Sequence, residues 1–164
     1  MSNNTKKPWG GRFKGKTNEF VESFTSSIAF DYRLWPYDLR VTIAHSKMLK
    51  EIGVLNEAEL KEILGAIEKL DEMFEKNQIS FSDNLEDIHM TIENELVKLI
   101  GDTAKKIHTG KSRNDQVATD LRLYTEDTSF IISEVIADIQ KEILTLAKKY
   151  SKSTSLLGGT FFCV

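Results

Sequence analysis

Cysteine is almost missing: Cys163 is the only one among 164 residues, which excludes an internal disulfide and any multi-cysteine metal site and agrees with a reducing compartment. Proline is nearly as scarce. Only Pro8 and Pro36 occur, and residues 54–157 hold no proline and just three glycines, Gly65, Gly101 and Gly110. That stretch lacks the turn density of an all-β chain and is expected to be almost entirely helical. An excess of positive charge is lacking too, with 22 Lys and Arg against 25 Asp and Glu and a net charge of -3, so no global field attracts nucleic acid or an anionic membrane. No apolar run approaches the roughly 20 residues of a membrane span, and no apolar signal core follows Lys6 and Lys7. The expected partners therefore include neither nucleic acid nor membrane, and the expected location is cytoplasmic. What is present, 40% hydrophobic and 29% charged residues, describes a globular chain with enough apolar side chains for one core.

Apolar spacing predicts a run of helices. A short one near residues 17–24 precedes a second over about residues 31–52, with Leu39, Ile43, Leu49 and Ile52 on one side. Pro36 fits only near its first turns, because a deeper proline loses a hydrogen bond and clashes. Asn56 followed by Glu59 reads as a helix cap with its reciprocal acid, and Leu60, Ile63, Leu64, Ile67, Leu70 and Phe74 then recur at 3–4 spacing. A third stripe, Leu85, Ile88, Ile92, Leu96 and Leu99, ends at Gly101, which suits a helix C-terminus needing a left-handed residue. The last helix starts near Ser112 or Asn114 and runs to Tyr150 without a breaker, about 55 Å at 1.5 Å per residue.

That long helix carries Ile132, Ile136, Ile143 and Leu144 beside its main stripe of Leu121, Ile131, Val135, Ile139 and Leu146, so apolar surface wraps further round it than one neighbour covers. It calls for a bundle, built either with other copies or with further residues of a larger protein. The expected fold class is all-α: an N-terminal helical domain over 1–111, the first long helix of a multi-helix bundle over 112–152, and an aberrant or truncated tail over 153–164. Those last twelve residues carry no charge and close on Gly158-Gly-Thr-Phe-Phe-Cys-Val164. The alternative is a buried strand or extended arm.

Polar chemistry concentrates in His108-Thr-Gly-Lys-Ser-Arg-Asn-Asp-Gln116, directly before the long helix. Free N–H groups and the positive end of the dipole make a helix N-terminus an anion site, to which Thr109, Ser112 and Asn114 add short donors and Lys111 and Arg113 add charge. The competing possibility is that Ser112 merely caps the helix with Asp115 as its reciprocal acid. A second cluster, Asp83-Asn-Leu-Glu-Asp-Ile-His89, mixes acids and a histidine at another helix start. Asp83, Asp87 and His89 have metal-ligand chemistry, but no second histidine sits at helical spacing, and no metal is expected.

The segments Trp9-Gly-Gly-Arg-Phe13, Ser27-Ile-Ala-Phe-Asp31, Asp38 with Ala44-His45, Glu86-Asp-Ile-His-Met90, His108-Thr-Gly-Lys-Ser-Arg-Asn-Asp-Gln-Val117 and Thr119-Asp-Leu-Arg-Leu123 together resemble argininosuccinate lyase, of the fumarase/aspartase superfamily. The likeness runs over residues 9–152, the N-terminal part of that enzyme, and departs from it at Lys111, where Arg is more usual. It implies reversible β-elimination of argininosuccinate to arginine and fumarate in a cofactor-free homotetramer of long helices. It also implies substrate binding by Ser27, Asn114, Arg113 and Thr109, with Asp87 and His89 orienting. The histidine segment and the serine loop of the family's catalytic apparatus have no match here, so no catalytic residue is named and the chain is expected to be an inactive N-terminal fragment. Two further readings belong beside it: a superfamily lyase releasing fumarate from another substrate, and a non-catalytic, crystallin-like helical assembly.

Overall fold

The computed structural model describes residues 21, 24–81 and 86–151, together with the backbone of 155–157 and 160–162. The expected helix over 17–24 and the Trp9–Phe13 motif lie wholly or largely outside these residues. Two compact units are present, Met1–Asp120 and Leu121–Val164.

In the first unit, α1 (Ile28–Asp31) passes through a 3-10 turn (Tyr32–Leu34) into α2 (Trp35–Glu51). Pro36 falls in the first turn of α2, where its missing N–H would have had no helical partner. The main helix therefore starts at Trp35, four residues later than expected. Its buried side is not the apolar stripe that spacing suggested. Leu39 and Leu49 are buried, but Ile52 is 64% exposed, and Asp38, Thr42 and Ser46 line the interior instead.

Helix α3 (Glu57–Glu75) follows the sequence closely. The Asn56 side chain accepts from Glu59 N at 2.9 Å, and Asn56 N donates to Glu59 Oε2 at 3.0 Å, which satisfies two end donors reciprocally. Leu60, Ile63, Ile67, Leu70 and Phe74 are buried. Trp35 stacks on Phe74 with ring centroids 4.9 Å apart, tying the start of α2 to the end of α3.

Helix α4 (Ile88–Ile100) begins at Asp87, whose carboxylate accepts from Met90 N at 2.6 Å. It buries Ile88, Ile92 and Leu96 between α2 and α3, while Leu85 lies outside the described residues. Gly101 ends it with φ 58° and ψ -129°, a conformation open essentially to glycine alone. A short α5 (Asp102–Lys105) and a 3-10 turn (Lys106–His108), neither anticipated from sequence, then carry the chain to α6 (Arg113–Tyr150).

Helix α6 has 38 residues and spans roughly 57 Å. From Leu121 onward it belongs to the second unit, where Phe130, Ile132, Val135, Ile136, Ile143 and Leu144 are all at least half exposed. Beyond it, β1 (Ser155–Leu157) pairs antiparallel with β2 (Thr160–Phe162), Ser155 opposite Phe162 and Leu157 opposite Thr160. The all-α class holds for the chain as a whole, with this two-stranded ribbon as an addition. Its sequence signal is two short β-prone runs separated by Gly158-Gly159, a hairpin spacing. Among the described residues no helix is long and apolar enough to cross a membrane.

Candidate functional site

The buried polar side of α2 is the foundation of the site. Asp38 is fully buried, and a buried carboxylate is tolerable only when hydrogen bonded and balanced by positive charge. Three donors reach it. His89 Nδ1 donates to Asp38 Oδ2 at 2.9 Å, Gln116 Nε2 to Oδ1 at 2.6 Å, and Thr42 Oγ1 to Oδ1 at 3.2 Å. Since a carboxylate only accepts, the His89 hydrogen toward Asp38 sits on Nδ1. Burial alone would raise the Asp38 carboxyl, but the His89 bond and charge, Lys111 and Gln116 outweigh it and hold the group below the usual carboxylate range. His89 moves the opposite way. Burial works to lower its ring, and the bond to Asp38 with the charges of Asp38, Asp87 and Asp120 lifts it above 6.5.

Asp120, one turn after Gln116 on α6, is fully buried, and neither of its oxygens has a hydrogen-bond partner among the described residues. Its Oδ2 lies 3.4 Å from His89 Nδ1. Burial and the neighbouring Asp38 push its carboxyl up to about 7, against the pull of His89, Lys111 and Arg113. Lys111 is itself lowered by burial, which the attraction of Asp38 and Glu93 only partly offsets. Asp38, His89 and Asp120 each place one ligand-type atom within 4.8 Å of the others, a donor set that a divalent cation could use. His89 Nδ1 is already engaged with Asp38, however, and His89 and Lys111 supply the positive charge that the two carboxylates require.

From this cluster a chain of bonds runs outward. Gln116 Oε1 accepts from Arg113 Nη1 at 3.0 Å, and Arg113 Nη2 pairs with Glu93 Oε2 at 3.2 Å. Glu93 Oε1 lies 3.4 Å from His108 Nδ1. The loop before α6 is pinned where His45 Nε2 meets the Thr109 carbonyl at 3.1 Å, and it turns at Gly110 with φ 66°. At the helix start the Gln116 N–H bonds the Ser112 carbonyl. Among the described residues no capping hydrogen bond joins the Ser112 hydroxyl or the Asp115 carboxylate to the first turn. The backbone N–H groups of Arg113, Asn114 and Asp115 belong to the first turn, where helical geometry supplies no acceptor, and the Arg113 guanidinium is fixed in that same turn.

The residues singled out from sequence fall into three places. Ser27 and Asp87 meet at the start of α4: Ser27 N donates to the Glu86 carbonyl at 2.8 Å, the Ser27 hydroxyl bonds Asp31, and Asp31 accepts from Ile88 N at 3.3 Å. Arg113, Thr109 and Asn114 lie around the start of α6, and His89 sits in the buried cluster. Asn114 is exposed and makes no side-chain hydrogen bond among the described residues. Asp83 lies outside them. Sequence reasoning assigned no role to Asp38, Glu93, Gln116 or Asp120. Asp38 and Asp120 carried only the signal of lying within recognisable segments, and Gln116 closed the most polar of these.

Comparison with known proteins agrees with the geometry. Residues 11–161 match a family model described as Lyase. The argininosuccinate lyase of Saccharophagus degradans is 48% identical over 146 residues, covering 89% of this chain and 31% of that protein. That of Ruthia magnifica is 48% identical over 143 residues, 87% of this chain and 30% of its own. That of Hydrogenovibrio crunogenus is 46% identical over 155 residues, 93% and 34%. The chain spans about a third of the length of these curated relatives. By a match over nearly its whole length, joined to the helical fold and the polar segment that opens α6, the chain belongs to the Lyase family.

Proposed function

We propose that this chain forms the carboxylate-binding, N-terminal third of an argininosuccinate lyase, which splits argininosuccinate into arginine and fumarate. The observation that carries this reading is the start of α6, where the Arg113 guanidinium, in the first turn of the helix, is held by Gln116 at 3.0 Å and by Glu93 at 3.2 Å. Such a cradle suits the dianion formed when a proton leaves the carbon beside a carboxylate, because fixed donors stabilise charge as it develops. In this reading Asn114, Arg113 and Thr109 hold one succinyl carboxylate. Ser27 contributes a hydroxyl, Asp87 orients the start of α4, and His89 orients rather than transfers a proton.

The reading extends to the whole protein. The apolar surface of α6 takes its place in a homotetrameric helix bundle, of which residues 112–152 are the first long member, and the single cysteine agrees with a cytoplasmic location. A hybrid enzyme tests it, with residues 1–151 of this chain replacing the matching third of the Saccharophagus degradans relative. The expected result is fumarate release from argininosuccinate, followed by ultraviolet absorbance. A folded, assembled hybrid that releases none overturns the reading.

A further inference from the structure

Asp38, Gln116 and Arg113 form a hydrogen-bond chain with a single possible direction. A carboxylate only accepts and a guanidinium only donates, so the amide between them must present Nε2 to Asp38 and Oε1 to Arg113. The bonds measure 2.6 Å and 3.0 Å, and Gln116 is 3% exposed. Asp38 is in turn fixed by His89 from α4 and Thr42 from α2, while Glu93 of α4 grips the other end of the guanidinium. Three helices therefore determine where one cation points. A buried charge at its inner end also polarises the Gln116 amide and strengthens Oε1 as an acceptor. Core packing alone would not need a carboxylate at position 38, since an apolar residue there would avoid the desolvation that His89, Gln116 and Thr42 now offset.

We propose that Asp38 and Gln116 are positioning residues, which fix the Arg113 guanidinium so that its remaining N–H donors meet a substrate carboxylate at the start of α6. The identity of that anion rests on the lyase reading above; the positioning itself does not. Preorganisation of this kind removes the loss of side-chain freedom that binding would otherwise impose on a long, mobile arginine.

The test is 15N relaxation at Arg113 Nε in the 164-residue chain. The unaltered chain is expected to show an order parameter near that of rigid backbone, about 0.85, and Gln116→Leu, which fills similar space without either bond, one below about 0.6. Because an apolar residue beside a buried carboxylate can unfold the chain, Gln116→Glu is the second variant. It keeps an acceptor for Arg113 but sets a second carboxylate against Asp38. Repelled by Asp38, the new carboxylate is expected to carry Arg113 with it out of the fixed position, so that Arg113 loses order at neutral pH and regains it as acid restores a proton that can again be donated to Asp38, a pH profile that a purely structural role has no reason to show. An order parameter unchanged in both variants, or no recovery with acid in Gln116→Glu, overturns the proposal. In the hybrid enzyme, Gln116→Leu is expected to lower kcat/KM by about tenfold. A hybrid without turnover removes the lyase reading alone, and the relaxation result still decides the positioning.

Discussion

At Asp120 the fold holds a carboxyl that ionises only near about 7, and this sets a sign for stability against pH. Between the ordinary aspartate range and 7, the folded chain keeps a proton that the unfolded chain has lost. This group's contribution therefore worsens as pH rises through that window. Asp120→Asn removes the ionisation and is expected to stabilise the chain by about 1–2 kcal/mol near pH ~8, a gain that fades to nothing below about pH 4. Urea unfolding at the two pH values measures it, and equal effects at both would contradict the buried charge. Asn114 makes the opposite case. It is exposed and unengaged among the described residues, so Asn114→Ala is expected to leave stability within about 0.5 kcal/mol. In the hybrid the same change should lower kcat/KM at least about tenfold, on the order of one hydrogen bond to a charged partner. Unchanged kinetics would rule out its substrate contact.

At the scale of elements, the junction of α4 and α5 separates strain from crowding. A Cβ added at Gly101 meets no atom within 4 Å, yet the backbone there has φ 58° and ψ -129°. Gly101→Ala is expected to cost about 1–3 kcal/mol from strain alone, read as a lower urea midpoint; an unchanged midpoint would mean that the junction relaxes freely. Helices α3 and α4 were legible in the sequence because their buried faces are mainly apolar, His89 and Thr91 of α4 apart, and their caps are local, Asn56 with Glu59 and Asp87 with Met90. Helix α2 was less so. Its interior face is Asp38, Thr42 and Ser46, which an apolar count reads as solvent-facing. The site was legible only where it is contiguous, at residues 108–116. The bonds from Asp38 to His89 and Gln116 join positions 51 and 78 residues apart, and no local spacing rule reports such a pairing.

For the whole molecule, the apolar surface of α6 is the dominant feature of its second unit. A few hundred Å² of exposed apolar surface at roughly 25 cal/mol per Å² represents several kcal/mol in favour of association, more than the weak repulsion from a net charge of -3. The purified chain is expected to self-associate at micromolar concentration, and light scattering from a compact monomer that binds no apolar dye would contradict this. It is also expected to release no fumarate by itself, since it spans only about a third of the length of the argininosuccinate lyases it matches.

That the start of α6 is a carboxylate cradle is tested most directly by titrating the 15N-labelled chain with succinate while following its backbone amides by NMR. Expected are saturable shifts concentrated at residues 109–116, where helical geometry supplies no acceptor to the first-turn N–H groups of Arg113, Asn114 and Asp115, and their loss in Arg113→Ala. Shifts centred elsewhere, or an Arg113→Ala chain that binds succinate as well as the original, would contradict the cradle.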